Sequence, residues 1–209
     1  MFLKKKQPKI FCIGRNKTGT TSLEAALEEL GYKMGDQTSG EALIIEYNNR
    51  NWKPIIDFCK TADAFQDAPF SWPHTWMVLH LHFPKAKFIL SVREEEEWYN
   101  SLVRFHSNLF SDGKKPPGMK ELQVAKYHRK GFMWETNRAV WQTPEKDPYN
   151  KELMITNYRA HNFSVKNYFA NKENFLELDL TEEDAYYKLC NFLNKKPIRN
   201  SFPHLNKSS

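Results

Sequence analysis

Between Lys9 and Leu23 the chain reads Lys-Ile-Phe-Cys-Ile-Gly-Arg-Asn-Lys-Thr-Gly-Thr-Thr-Ser-Leu. This stretch combines an apolar run, two glycines, a lysine between them and three consecutive hydroxyl residues. Ile10 to Ile13 has the pattern of a short buried strand. Gly14 to Gly19 (Gly14, Arg15, Asn16, Lys17, Thr18, Gly19) forms a tight basic turn, and Thr20, Thr21 and Ser22 open a helix with apolar positions at Leu23, Ala26, Leu27 and Leu30. Gly31 then ends that helix, as glycine commonly does just past a last turn. A strand, a glycine turn and a helix N-terminus together aim several free backbone N–H groups at one anion, so the chemistry on offer is phosphate binding. A nucleoside-triphosphate loop would read G-x4-G-K-[ST]. Here the spacing Gly14-x4-Gly19 is kept, but Thr20 stands where the lysine belongs and Lys17 sits inside the turn.

A second basic junction lies further on, in Pro84-Lys-Ala-Lys-Phe-Ile-Leu-Ser-Val-Arg93, followed by Trp98 and Ser101. It reads as a strand ending in arginine, with a serine on the next helix. The two segments together resemble sulfotransferases that use phosphoadenosine phosphosulfate (PAPS). Lys17-Thr-Gly-Thr-Thr-Ser22 is similar to the family's 5′-phosphosulfate loop, and Arg93 with Ser101 to its 3′-phosphate motif. The resemblance extends to Phe175-Leu-Glu-Leu-Asp-Leu180 and Phe202-Pro-His-Leu-Asn206. It implies a P-loop-like α/β fold, three-layer α/β/α around a central parallel sheet. It also implies PAPS as donor, phosphoadenosine phosphate (PAP) as product and no metal. The sulfuryl group would pass to a hydroxyl or amine of a small-molecule or carbohydrate acceptor. Donor contacts are expected from Arg15, Asn16, Lys17, Thr18, Gly19, Thr20, Thr21, Ser22, Arg93 and Ser101. Lys17 would stabilise the departing phosphate oxygen, and Arg93 would meet phosphate through paired N–H donors. The four glutamates after Arg93 offer it a competing partner.

An acceptor alcohol needs a general base. Asp67, in Phe65-Gln-Asp-Ala-Pro69, stands about where several carbohydrate-modifying relatives carry a glutamate and is the first candidate. Its ordinary pKa of about 3.9 requires desolvation before it becomes effective. His74, in Pro73-His-Thr-Trp76, is the second. Both also suit a plain turn or helix start. His80 and His82 form an H-x-H pair, but residues two apart diverge on a helix and no partner ligand is spaced nearby. His161 and His204 read as core or structural histidines, while Lys207 could close over a nucleotide.

Composition sets the frame. The 209 residues carry a net charge of +6, which favours anionic ligands without choosing among them. The length suits one domain spanning 1–209. Three scattered cysteines argue against a disulfide framework or zinc knuckle. Met1 to Lys6 is basic with no apolar segment behind it, and no stretch approaches a membrane span, so a cytoplasmic protein without an anchor is expected. A kinase-like enzyme with an altered loop, or a non-catalytic nucleotide- or nucleic-acid-binding protein, is the alternative. No nucleic-acid motif favours the latter.

Along the chain, helical patterns cover Glu41–Tyr47, Lys53–Lys60, Thr75–Phe83, Glu94–Phe105, Met119–Trp141, Leu153–Phe169 and Glu182–Leu193. Extended runs cover 64–69, 87–92 and 174–180. Strands alternating with helices imply a parallel sheet with ligands at the strands' carboxyl ends. Residues 106–150 mix Lys114, Lys115, Lys120, Lys126, Arg129, Lys130 and Arg138 with Tyr127, Phe132, Trp134 and Trp141. They form either a basic-aromatic acceptor side or an amphipathic lid with buried rings.

Overall fold

The computed structural model describes residues 7–203, so the basic N-terminal residues, His204 and Lys207 lie outside the described residues. Four parallel strands form one sheet in the order β2-β1-β3-β4: β1 (Ile10–Cys12), β2 (Ala64–Phe65), β3 (Lys87–Val92) and β4 (Phe175–Asp179). The strands read as continuous apolar runs because both faces are covered. Ile10, Cys12, Ile89 and Leu178 pack on one face against α1 (Thr20–Glu29) and α10 (Ala185–Leu193). Phe11, Ile13, Phe88 and Leu90 pack on the other against α5 (Thr75–His82) and α9 (Lys151–Phe169). The result is the expected three-layer α/β/α arrangement.

The topology decides where a ligand goes. From β1 the chain moves to one neighbour, β2, then crosses back so that β3 pairs with the opposite edge of β1. The chain therefore leaves the carboxyl ends of β1 and β3 in opposite directions along the sheet, a switch point where open α/β sheets leave a crevice. The turn after β1 and Arg93 after β3 both open on it. Gly14 permits this closeness: a Cβ there would stand 2.2 Å from Ser91 Oγ and 2.3 Å from the Ser91 carbonyl oxygen.

A third cluster is built mainly from helices, with Ala68, Trp72 and Tyr149 added from turns. It gathers Tyr47 of α3 (Ile44–Asn48), Ile55 of α4 (Trp52–Phe58), and Trp98 and Leu102 of α6 (Glu95–Phe110). Leu122 of α7 (Met119–Val124), Phe132, Val140 and Trp141 of α8 (Phe132–Trp141), and Tyr158 of α9 complete it. Two sequence expectations are corrected here. The helix after Arg93 does not stop at Phe105 but runs to Phe110, because Trp98, Leu102 and His106 keep one buried face. The helical pattern over 119–141 splits into α7 and α8, with Gly131 at φ 83° starting the second. Thr75–His82 and Lys151–Phe169 form as the spacing predicts, within a few residues at each end. A short α2 (Gln37–Glu41) precedes α3.

Candidate active site

The anion-binding geometry is built from backbone. Thr20, Thr21 and Ser22 begin α1 without a side-chain cap or an acidic residue in the first turn. Their N–H groups are therefore available to a ligand. The start of α6 is the opposite case: the Glu94 carboxylate accepts from the N–H groups of Glu96 (3.0 Å) and Glu97 (2.8 Å). Of these two helix starts at the crevice, α1 alone has room for an anion. Gly19 adopts φ 90°, and a Cβ there would meet Leu180 at 2.8 Å, so the turn needs glycine at its exit.

Side chains lock the turn to its surroundings. The Thr18 hydroxyl donates to the Arg15 carbonyl and shares a hydrogen bond with Ser91 Oγ, both 2.6 Å. Trp98 Nε1–H donates to the Asn16 carbonyl at 3.0 Å, which ties the first junction to α6. Trp98 stacks on Tyr158 with centroids 4.3 Å apart. Tyr158 in turn grips the Arg93 backbone twice, accepting from its N–H and donating to its carbonyl, each at 2.9 Å. His161 Nε2–H donates to the Ile13 carbonyl at 2.9 Å, and burial holds this imidazole neutral. One continuous set of contacts thus fixes both strand ends.

Two cavities meet at these junctions. The more enclosed one, of about 370 Å³ and still part-open to solvent, is bordered by the turn, Asp67 and aromatics from α6, α8 and the segment between α7 and α8. An outer groove of about 1130 Å³ runs from the turn past Arg104 and Asn108 to Asp179, Tyr186 and residues 200–203. Lys17, Gly19, Ser22, Arg93, Ser101 and Phe105 border both. The sequence model of a family described as a sulfotransferase domain matches residues 9–209. The chain belongs to that sulfotransferase family. Comparison with curated proteins found no match.

In the sulfotransferase, most of the expected site residues converge. Lys17 adopts φ 67° and lays its ammonium over the Phe105 ring, 3.9 Å from the centroid. Its pKa is lowered by burial, while Asp67 pulls the other way. Arg93 Nε–H reaches Glu97 at 3.2 Å, the competing pairing the sequence suggested, yet Arg93 still borders both cavities. Ser101 is buried rather than an exposed helix serine. Arg15 borders only the enclosed cavity of the two; it donates to the Ser71 carbonyl at 2.7 Å and packs over Trp141 at 5.0 Å. Its Nε is buried without a partner among the described residues, and burial lowers its pKa to about 10. A buried guanidinium with a spare donor, beside a bare helix N-terminus, fits an anionic donor group.

One expectation narrows and one changes. The Thr18 hydroxyl is already bonded to Arg15 and Ser91, although Thr18 borders the outer groove. His74 is exposed at the start of α5 with φ 64° and borders neither cavity, because the turn after Pro73 carries it outward. Asp67 sits in the enclosed cavity wall at φ 55°. Burial, and then the neighbouring Glu41, push its carboxyl up to about 6. Ser71 Oγ–H reaches Asp67 Oδ1 at 3.4 Å.

Several cavity residues escaped the sequence reading. Glu41 accepts from Gln37 Nε2 at 2.7 Å and pairs with His128 Nε2, which pins the segment between α7 and α8 over the cavity. His106 and Tyr149 face it from the far end of α6 and the start of α9. None of the seven lysines and arginines noted in 106–150 borders it. Arg129 pairs with Glu135, and Arg138 packs over Trp134. Residues 106–150 bring aromatics to this cavity, but their cations point elsewhere. His80 and His82 are spent on Tyr168 and the Val78 carbonyl. Among the described residues no metal-holding group of His, Cys, Asp or Glu forms, and no helix is long and apolar enough to cross a membrane.

Proposed function

We propose that the outer groove holds the nucleotide of PAPS, that the junction of the two cavities holds its sulfuryl end, and that the enclosed cavity takes a small, largely aromatic alcohol or phenol. The observation that carries this reading is the shared border: Lys17, Ser22, Arg93 and Ser101 face both cavities, so one elongated polyanion can touch both strand ends. When bound, the donor supplies the sulfuryl group and leaves as PAP. The N–H groups of Thr20 to Ser22 bind its 5′ phosphate, and Arg93 with Ser101 binds its 3′ phosphate. Lys17 stabilises charge on the leaving oxygen, since it is a cation already partly removed from water. Asp67 accepts the acceptor's proton; with its pKa near 6 it is ionised at neutral pH and far more basic than an ordinary aspartate.

The acceptor class follows from the wall. A part-open cavity of 370 Å³ bordered in part by Trp72, Phe110, Phe132, Met133, Val140 and Trp141 suits a small ring. Residues 1–209 are read as one catalytic unit. The three buried thiols suit a reducing compartment such as the cytoplasm. The test is calorimetric titration with PAP and with ATP. PAP is expected to bind more tightly, with dependence on its 3′ phosphate. Tighter binding of ATP, or indifference to that phosphate, refutes the assignment.

A further inference from the structure

The enclosed cavity contains a polar spot that the donor and base roles leave unused. His106 is buried to 8% exposure on α6, and its Nδ1 shares a 2.6 Å hydrogen bond with the Tyr149 hydroxyl. The opposite ring nitrogen, Nε2, has no partner among the described residues, and the ring borders the cavity. Thr136 borders it too, but its hydroxyl oxygen is itself buried out of reach of a ligand, without a partner among the described residues. Asn137 holds these two parts together by donating to the Pro148 carbonyl at 3.0 Å, beside Tyr149. Phe110, Phe132, Met133 and Val140 supply apolar wall in the same enclosure. Buried polar atoms in such a wall are costly when unpaired.

We propose that His106, oriented by Tyr149, binds a second hydrogen-bonding group of the acceptor, so that the preferred substrate is an aromatic alcohol or phenol bearing a further hydroxyl. This deepens, and rests on, the sulfotransferase reading of the cavity. Burial and the nearby Lys17 hold the His106 pKa down to about 3. The imidazole therefore stays neutral and reads a hydroxyl as a dipole, and so weakly basic a nitrogen is not the general base.

The experiment titrates the PAP-loaded enzyme with benzyl alcohol and with its 2-, 3- and 4-hydroxy derivatives. At least one hydroxy isomer is expected to bind about 3- to 12-fold more tightly than benzyl alcohol, as for one good hydrogen bond. His106→Leu should erase that preference while leaving PAP affinity unchanged, and His106→Asn should restore part of it. Tyr149→Phe, which keeps the ring in the core, should reduce the preference even if His106→Leu folds poorly. Absence of any preference in the wild type, or its survival in these variants, overturns the proposal. Failure of PAP to bind the wild type instead overturns the reading beneath it.

Discussion

Replacing Asp67 by asparagine should make the protein more stable and nearly inactive. The folded carboxyl has its pKa raised from 3.8 to about 6. It therefore holds its proton more tightly than the unfolded chain does. Its contribution to stability is complete below pH 3.8 and is lost as pH rises through about 6. At about 1.4 kcal/mol per pH unit, keeping this group ionised costs up to about 3 kcal/mol at pH 8. Partial solvent access to the cavity brings the expected gain for Asp67→Asn to about 1–3 kcal/mol. At pH 4.5 most unfolded carboxyls are ionised but the folded one is not, and the gain should shrink to about a third. Urea unfolding of both proteins at the two pH values measures this directly. In parallel, kcat/KM of the wild type should climb about tenfold per pH unit up to about 6 and then level, and the variant should lose about 10²- to 10⁴-fold. A variant that stays active, or a stability gain identical at both pH values, would show that Asp67 is neither the base nor a desolvated carboxylate.

Arg93→Ala should weaken PAP by about 1.5–3 kcal/mol, the range for a hydrogen bond to a charged group, and barely affect adenosine 5′-phosphosulfate, which calorimetry can compare. Glu97→Gln removes the partner 3.2 Å from Arg93 Nε and should tighten PAP slightly, by less than about 1 kcal/mol because the pair is partly exposed. Tyr158→Phe deletes both bonds to the Arg93 backbone and should destabilise the fold by about 1–3 kcal/mol, with weaker PAP binding in the folded fraction; a variant matching wild type in both would dismiss the clamp.

The sequence made the donor side legible and the acceptor side only partly so, for a physical reason. Phosphate binding relies on local backbone, and Ile10 to Ser22 carries its whole device within one strand, one turn and one helix start. Arg93 and Ser101 lie one helix apart, so their spacing was readable as well. That the two junctions meet depends on the strand order, which follows from alternation of strands and helices only as a class. The acceptor cavity is assembled from side chains far apart in the chain: Glu41, Asp67, His106, Thr136 and Tyr149. His106 was missed because the helix was ended at Phe105, although Trp98, Leu102 and His106 recur at helical spacing. His74 stood as the second candidate after Asp67, and the positive φ at the start of α5 turns it outward. The lysines of 106–150 suggested a basic lining because charge can be counted in a sequence, whereas its facing cannot.

The glutamate run after Arg93 appears hostile to a 3′ phosphate, yet its placement removes most of the difficulty. Glu94 is bound to the N–H groups at the start of α6. Glu95 pairs with Arg159, and Glu96 with Lys151 at 2.5 Å, both on α9. These three carboxylates cap one helix and bind it to the next, which also carries Tyr158 and so fixes the Arg93 backbone. Glu97 is the one of the four that pairs with the guanidinium, through a single Nε–H bond. A guanidinium has five donors, so its paired terminal nitrogens are available to phosphate while Nε holds Glu97. The acidic run thus sets the direction of Arg93 instead of cancelling it, which is why Glu97→Gln should change affinity far less than Arg93→Ala.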